Sequence, residues 1–209
     1  MIYFCLYILG YILLESVNKM MSMLIIDDDL NFVKTLFNYI IKQNLNIKLL
    51  GIGTNGNEAV KLIEYYKPDV LLLDLMMPQI NGIQVLENML NKKDKYFPKI
   101  KIVILSSFIE KLHKNKEYFN YIYDIIPKPI NINKLIYCLN QIEEEKNLKK
   151  IELYVDNELN KFNFNTNNAA YKYLKDTIME IIKNNTNVFN LERDIYFNGL
   201  LINLWNACI

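Results

Sequence analysis

A chain of 209 residues that is 52% hydrophobic can bury a sizeable core, which excludes a disordered segment and leaves room for one domain plus a smaller unit. A net charge of +1 supplies no overall field toward nucleic acid or an anionic membrane. The three cysteines, Cys5, Cys138 and Cys208, form no CxxC pair, and with His113 the single histidine, neighbouring residues cannot build a Cys/His zinc site; free thiols in a reducing compartment are expected.

Residues 1–14, MIYFCLYILGYILL, are almost wholly apolar but shorter than the roughly 20 residues a membrane-spanning helix needs. They lack the positive flank and small-residue cleavage site of a signal peptide. Residues 1–22 are read as an extension outside the chemistry, with weak membrane association or a packed helix as the alternatives.

From Met23 onward short apolar runs alternate with longer helix-period segments. The runs Met23–Ile26, Ile47–Ile52, Val70–Leu73, Ile100–Leu105 and Ile122–Ile126 are rich in Ile, Leu and Val and too short for buried helices. They suit strands covered on both faces. Between them, Leu30–Lys42, Asn57–Tyr65, Ile83–Asn91 and Ile109–Phe119 read as helices, with Asn133–Lys146 after the last strand. This alternation predicts an α/β fold, a doubly wound five-stranded parallel sheet. The charged run 143–150, EEEKNLKK, is expected to end the last helix and serve as a linker. The organisation is then a domain over 23–146, a linker over 147–160 and a small, partial all-α unit over 161–209. That unit carries a helix-period stretch, Ala169–Lys183, and a second apolar segment, Leu191–Ile209.

Ligands of open parallel sheets bind beyond the carboxyl ends of the strands. There the first run ends in Asp27-Asp28-Asp29, the third in Asp74, the fourth in Ser106-Ser107 and the fifth in Pro127-Lys128-Pro129. Singly, an Asp triplet after a strand is most often a turn and helix cap, and a Lys-Pro pair is common. An Asp closing the apolar run VLLL is harder to account for without a task, because burying a carboxylate is costly. Together the groups match phosphoryl transfer to a carboxylate. An ionised Asp serves as nucleophile, a hard cation such as Mg²⁺ is held by carboxylate oxygens, and a lysine and a hydroxyl face the arriving phosphoryl group. A haloacid dehalogenase-type phosphatase also uses a strand-end Asp, but needs a second one two residues on, where Met76 stands.

The segments LIIDDD, PDVLLLDLMMPQINGIQVLE, IVILSSF and IIPKPIN resemble the receiver of bacterial response regulators, over about residues 23–146. The resemblance implies a flavodoxin-like sheet of order 2-1-3-4-5, with Asp74 as phosphoacceptor. It implies Mg²⁺ on Asp27, Asp28, Asp74 and the Met76 backbone carbonyl, with Ser106 as switch hydroxyl and Lys128 as phosphate contact. Pro78 and Gly82 match the turn after the acceptor, and Gly82 independently suits backbone angles that side chains forbid. The implied partners are a histidine kinase or histidine phosphotransferase as donor and a second copy of the chain on phosphorylation. No membrane partner is implied, the location is cytoplasmic, and there is no enzymatic turnover beyond slow self-dephosphorylation. Two departures bear on output. Ile125 stands where the family usually carries an aromatic switch residue, with Tyr123 on the same side by strand alternation; and NYIYD replaces the usual small Gly-Ala element before the fifth strand. His113 is read as a surface residue.

Residues 51–78 are particularly similar to the receivers of sporulation master regulators of spore-forming bacteria. NTNNAAYKYLKDTIMEII and RDIYFNGL, within about residues 163–200, resemble the start of that family's DNA-binding effector domain. A DNA reader needs cations, yet no charged side chain follows Asp194. The tail is therefore expected to pack on a core or partner as a partial effector, with DNA binding as a second reading and a receiver-only phosphate sink as a third.

Overall fold

The computed structural model describes residues 20–43, 45–78, 80–91, 99–107 and 119–161, together with a few positions between 169 and 180. The apolar extension up to residue 19, most of the expected helix over 109–119 and the segment after residue 180 lie outside the described residues. One compact unit spans Met20–Glu144. Its strands are β1 (Met21–Ile26), β2 (Ile47–Gly53), β3 (Val70–Leu73), β4 (Lys101–Ser106) and β5 (Ile122–Pro127). Its described helices are α1 (Leu30–Lys42), α2 (Gly56–Tyr66), α3 (Gly82–Asn91) and the first part, to Glu144, of α4 (Ile132–Lys161). The sheet is parallel in the order β2-β1-β3-β4-β5, as the resemblance implied.

Strand residues alternate between two apolar layers, the signature of a doubly wound sheet. Leu24, Ile26, Leu71, Leu73, Ile102 and Ile104 pack with Ala59 and Ile63 of α2 and Val85, Leu86 and Met89 of α3. Met23, Ile25, Leu72, Val103 and Leu105 face the other way, toward Val33, Leu36 and Ile40 of α1 and Leu135, Leu139 and Ile142 of α4. The helix starts are capped locally: Asp29 accepts from the N–H groups of Asn31 and Phe32, each at 3.0 Å, and Asn55 accepts from Glu58 N–H at 3.0 Å.

Four expectations need correction. β1 starts at Met21 rather than Met23, because Met21 is buried and pairs with Ile47; part of the supposed extension is core strand. The run 143–150 does not break the last helix. Glu, Lys and Leu are strong helix formers and the run holds no Gly or Pro, so α4 continues to Lys161 through most of the expected linker 147–160. Gly82 is not at positive φ. It is needed because a Cβ there would collide with the Asp74 carbonyl oxygen and approach the Leu75 Cα to 2.8 Å. Tyr123 and Ile125 do not share a face. A bulge lets β5 gain one residue on β4, with Ile102 opposite Ile122 but Val103 opposite Asp124, so Tyr123 joins the α1/α4 layer and Ile125 the α2/α3 layer.

Among the described residues from Glu145 onward, which belong to another unit, structure is helical. Lys175 there binds Glu152 at 3.1 Å and Asp156 at 2.9 Å, and Val155 and Met179 are buried. No helix among the described residues is long and apolar enough to cross a membrane.

Candidate functional site

The strand ends meet at the carboxyl edge of the sheet because the register fixes them there. Ile26 pairs with Leu73, so the next residues, Asp27 and Asp74, emerge side by side; their N–H groups are held by the Gly53 and Ile26 carbonyls, both at 2.9 Å. Ser106 pairs with Pro127, which places Lys128 one residue beyond the β5 end, where its N–H donates to the Ser106 carbonyl at 3.2 Å.

Lys128 organises the edge. Its Nζ donates to Asp27 Oδ2 at 2.7 Å and to Asp74 Oδ2 at 2.9 Å, joining two carboxylates that are almost fully buried. Its ammonium also lies over the Phe32 ring, 4.7 Å from the centroid. The other oxygens are engaged as well: Asp27 Oδ1 accepts from Asp29 N–H at 3.0 Å, and Asp74 Oδ1 from Met76 N–H at 3.2 Å. Burial pushes the Asp27 carboxyl above its ordinary pKa of 3.8, against the lowering effect of its bond to Lys128. Burial also pulls on the Lys128 ammonium, but its bonds to Asp27 and Asp74 outweigh that and hold it above the ordinary lysine value. It is therefore a fixed positive charge at neutral pH.

The acidic triplet divides by task. Asp29 is the α1 cap, the plain role such residues usually have. Asp27 lies in the site, and Asp28 stands exposed at its rim; one oxygen from each of Asp27, Asp28 and Asp74 falls within 4.8 Å of the others. That donor set fits a hard, oxygen-preferring divalent cation. Ser106 is fully buried at the β4 end, beside β3. Met76 is exposed in the loop after Asp74, Pro78 is exposed in the bend that follows, and Gly82 opens α3 with its N–H on the Leu75 carbonyl at 3.1 Å. The structure thus brings Asp27, Asp28, Asp74 and Lys128 into one group, with Ser106 on the adjoining strand end. Phe32 was not singled out from the sequence; its only signal was an aromatic residue three positions after the capping Asp29.

The family model described as the response regulator receiver domain matches residues 23–140. A curated relative, "Probable transcriptional regulator ycf29" of Pyropia yezoensis, is 29% identical over 63% of this chain and 57% of its own length. Transcriptional regulatory protein DegU of Brevibacillus brevis is 27% identical over 52% of this chain and 42% of its own. The chain thus spans about half the length of the curated relatives it matches. Among solved structures, a DNA-binding response regulator of the LuxR family from Staphylococcus aureus superimposes with a TM-score of 0.50 at 27% identity, over 59% of this chain and 99% of that one. The receiver domain of AraT from Geobacillus stearothermophilus gives 0.54 at 20% identity, over 63% and 99%, a likeness of fold.

Proposed function

Because this chain belongs to the response regulator receiver family, whose model spans more than half of it, we propose that Asp74 accepts a phosphoryl group from a phosphohistidine and that Lys128 and Asp27 prepare it to do so. The observation that carries this reading is the Lys128 ammonium bridging Asp27 and Asp74 at the strand ends. An Asp74 oxygen attacks phosphorus in line. The new P–O bond forms as the P–N bond breaks, and its electron pair returns to the donor imidazole. Lys128 holds the Asp74 carboxylate in place and is already positioned to pair with the phosphoryl oxygens. Ser106, at the neighbouring strand end, is the hydroxyl that meets the phosphoryl group once it arrives. Receiver domains bind Mg²⁺ through an acidic cluster of this kind. Here Asp27, Asp28 and Asp74, with the Met76 carbonyl, would hold the ion, whose charge offsets that of the transferring oxygens.

Receivers act in two-component systems, and the relatives named above are regulators of transcription. We extend that role to this chain: a cytoplasmic regulator, phosphorylated by a histidine kinase or histidine phosphotransferase, with a second copy of itself or DNA as the target of its output. The narrower assignment, to sporulation regulators, has its support in the likeness of residues 51–78 and 163–200 alone. A phosphate sink that does not read DNA is favoured by one observation, that residues 195–209 are mostly apolar and carry no charged side chain to meet a phosphate backbone. Salt-dependent binding to a specific duplex by the full chain would remove that second reading.

Incubation with acetyl phosphate and Mg²⁺, followed by intact mass measurement, tests the core of the proposal. One phosphoryl group is expected on the native chain and none on Asp74→Asn. An unmodified native chain, or a modified variant, overturns the assignment.

A further inference from the structure

Lys128 has three N–H donors, and the carboxylates of Asp27 and Asp74 take two directions around its nitrogen. On another side lies the Phe32 ring, 4.7 Å from centroid to Nζ, within the distance at which a ring face attracts a cation. The Phe32 N–H is held by the Asp29 cap at 3.0 Å, and the side chain is half-buried against the Val33, Leu36 and Leu139 layer. The cap fixes the backbone that carries the ring, and the ring is a third partner of the ammonium beside the two carboxylates.

The consequence appears when the charges around Lys128 change. Asp27 and Asp74 are both members of the acidic group that fits a divalent cation, so a cation taking an oxygen from each draws on the same two carboxylates that hold the lysine. Phe32 is a partner no metal competes for. We propose that Phe32 is a positioning residue for phosphoryl transfer: its ring keeps the Lys128 ammonium beside Asp74 while the carboxylates are drawn to the cation. This rests on the reading of Asp74 as phosphoacceptor.

The test uses the full chain and the variants Phe32→Leu, Phe32→Met and Phe32→Tyr. Phosphorylation by acetyl phosphate is followed at saturating Mg²⁺, with thermal melts to verify folding. The Lys128 side-chain methylene resonances are recorded with and without Mg²⁺ but without phosphodonor. Loss of the ring is expected to slow phosphoryl uptake roughly three- to tenfold in the Leu and Met variants, the size of a half-exposed cation–ring contact, and Tyr is expected to restore the native rate. The Lys128 resonances of the native and Tyr proteins should carry a ring-current shift that persists in Mg²⁺ and vanishes in the Leu and Met variants. If a folded Leu or Met variant is phosphorylated at the native rate, or if Tyr is as slow as Leu, the inference fails. A ring-current shift that disappears on adding Mg²⁺ to the native chain also overturns it. Failure of the native chain to take up phosphoryl at all is a different result, and would sink the reading of Asp74 instead.

Discussion

Asp69 and Asp74 flank the four residues of β3, one before the strand and one after it, and their carboxylates are held by different chemistry. Asp69 Oδ2 accepts from the Ser22 N–H and the Ser22 hydroxyl, both at 2.7 Å, and its own N–H donates back to Ser22 Oγ at 3.0 Å. These are neutral donors on a neighbouring strand, fixed by the β1/β3 register. Asp74 shares one ammonium with Asp27, and exposed Asp28 adds a third carboxylate nearby. Among the described residues, one edge pairs its carboxylate with neutral donors, while the other gathers three carboxylates around one ammonium. That surplus is what a bound cation would offset in the phosphoryl transfer proposed for this site.

The largest expected effect comes from removing the shared charge. Lys128→Met leaves Asp27 and Asp74 facing each other at an almost closed edge, and a loss of about 3 kcal/mol at neutral pH is expected, as for a broken buried pair. Phosphoryl uptake should fall to background. The pH dependence follows from Asp27, whose pKa burial has raised from 3.8. The folded chain holds that proton more tightly than the unfolded one, so this favours folding at low pH and is lost as pH rises through the raised value. Without Lys128 the lowering influence on Asp27 disappears, so the penalty of the variant should shrink as pH falls from neutral through the raised value of Asp27 in urea denaturation. A penalty independent of pH would mean that the two carboxylates are not what Lys128 stabilises.

At the other edge, Ser22→Ala removes the hydroxyl that both donates to Asp69 and accepts from it. A loss of about 1–2 kcal/mol is expected in the same denaturation assay, since the cost falls on groups left unpaired. Phosphoryl uptake should be unchanged. A variant with native stability but altered uptake would show that the two ends of β3 are coupled rather than contrasting.

These edges were not equally legible in the sequence. The carboxyl edge announced itself, since Asp27, Asp74 and Lys128 each stand just past an apolar run, and a charge in that position has few plain explanations. The Ser22–Asp69 clasp did not, because a serine between two methionines looks like the approach to a strand rather than part of it. Alternation placed Tyr123 and Ile125 on one face and could not foresee the extra residue at the β5 bulge. With Tyr123 turned to the other layer, where Lys101 Nζ sits 4.5 Å from its ring centroid, no aromatic residue of the described β5 stands on the side of Ile125. The Gly82 requirement is likewise a collision between distant parts of a turn, invisible to local backbone preference. Helix continuation through 143–150 is legible in the absence of Gly and Pro, whereas the charge of the run resembles that of a linker.

Glu58, an exposed carboxylate at the start of α2, is held by a further kind of bonding and carries the least stability of the three. Glu58 Oε2 accepts from the Thr54 N–H at 2.8 Å and the Thr54 hydroxyl at 3.0 Å, while the Glu58 N–H donates to Asn55, a reciprocal cap at the start of α2. These bonds hold the Glu58 carboxyl below its ordinary 4.5, the opposite direction to Asp27. A carboxyl with a lowered value contributes stability that is present above the ordinary value and lost as pH falls through the lowered one. Solvent screens the site, so Glu58→Gln should cost only about 0.5 kcal/mol at neutral pH and nothing measurable at about pH 3, with phosphoryl uptake intact. On acidification Glu58 and Asp27 should therefore move stability in opposite senses, so the pH profiles of Glu58→Gln and Lys128→Met separate a cap that acts by being ionised from a site carboxylate whose ionisation strains the fold.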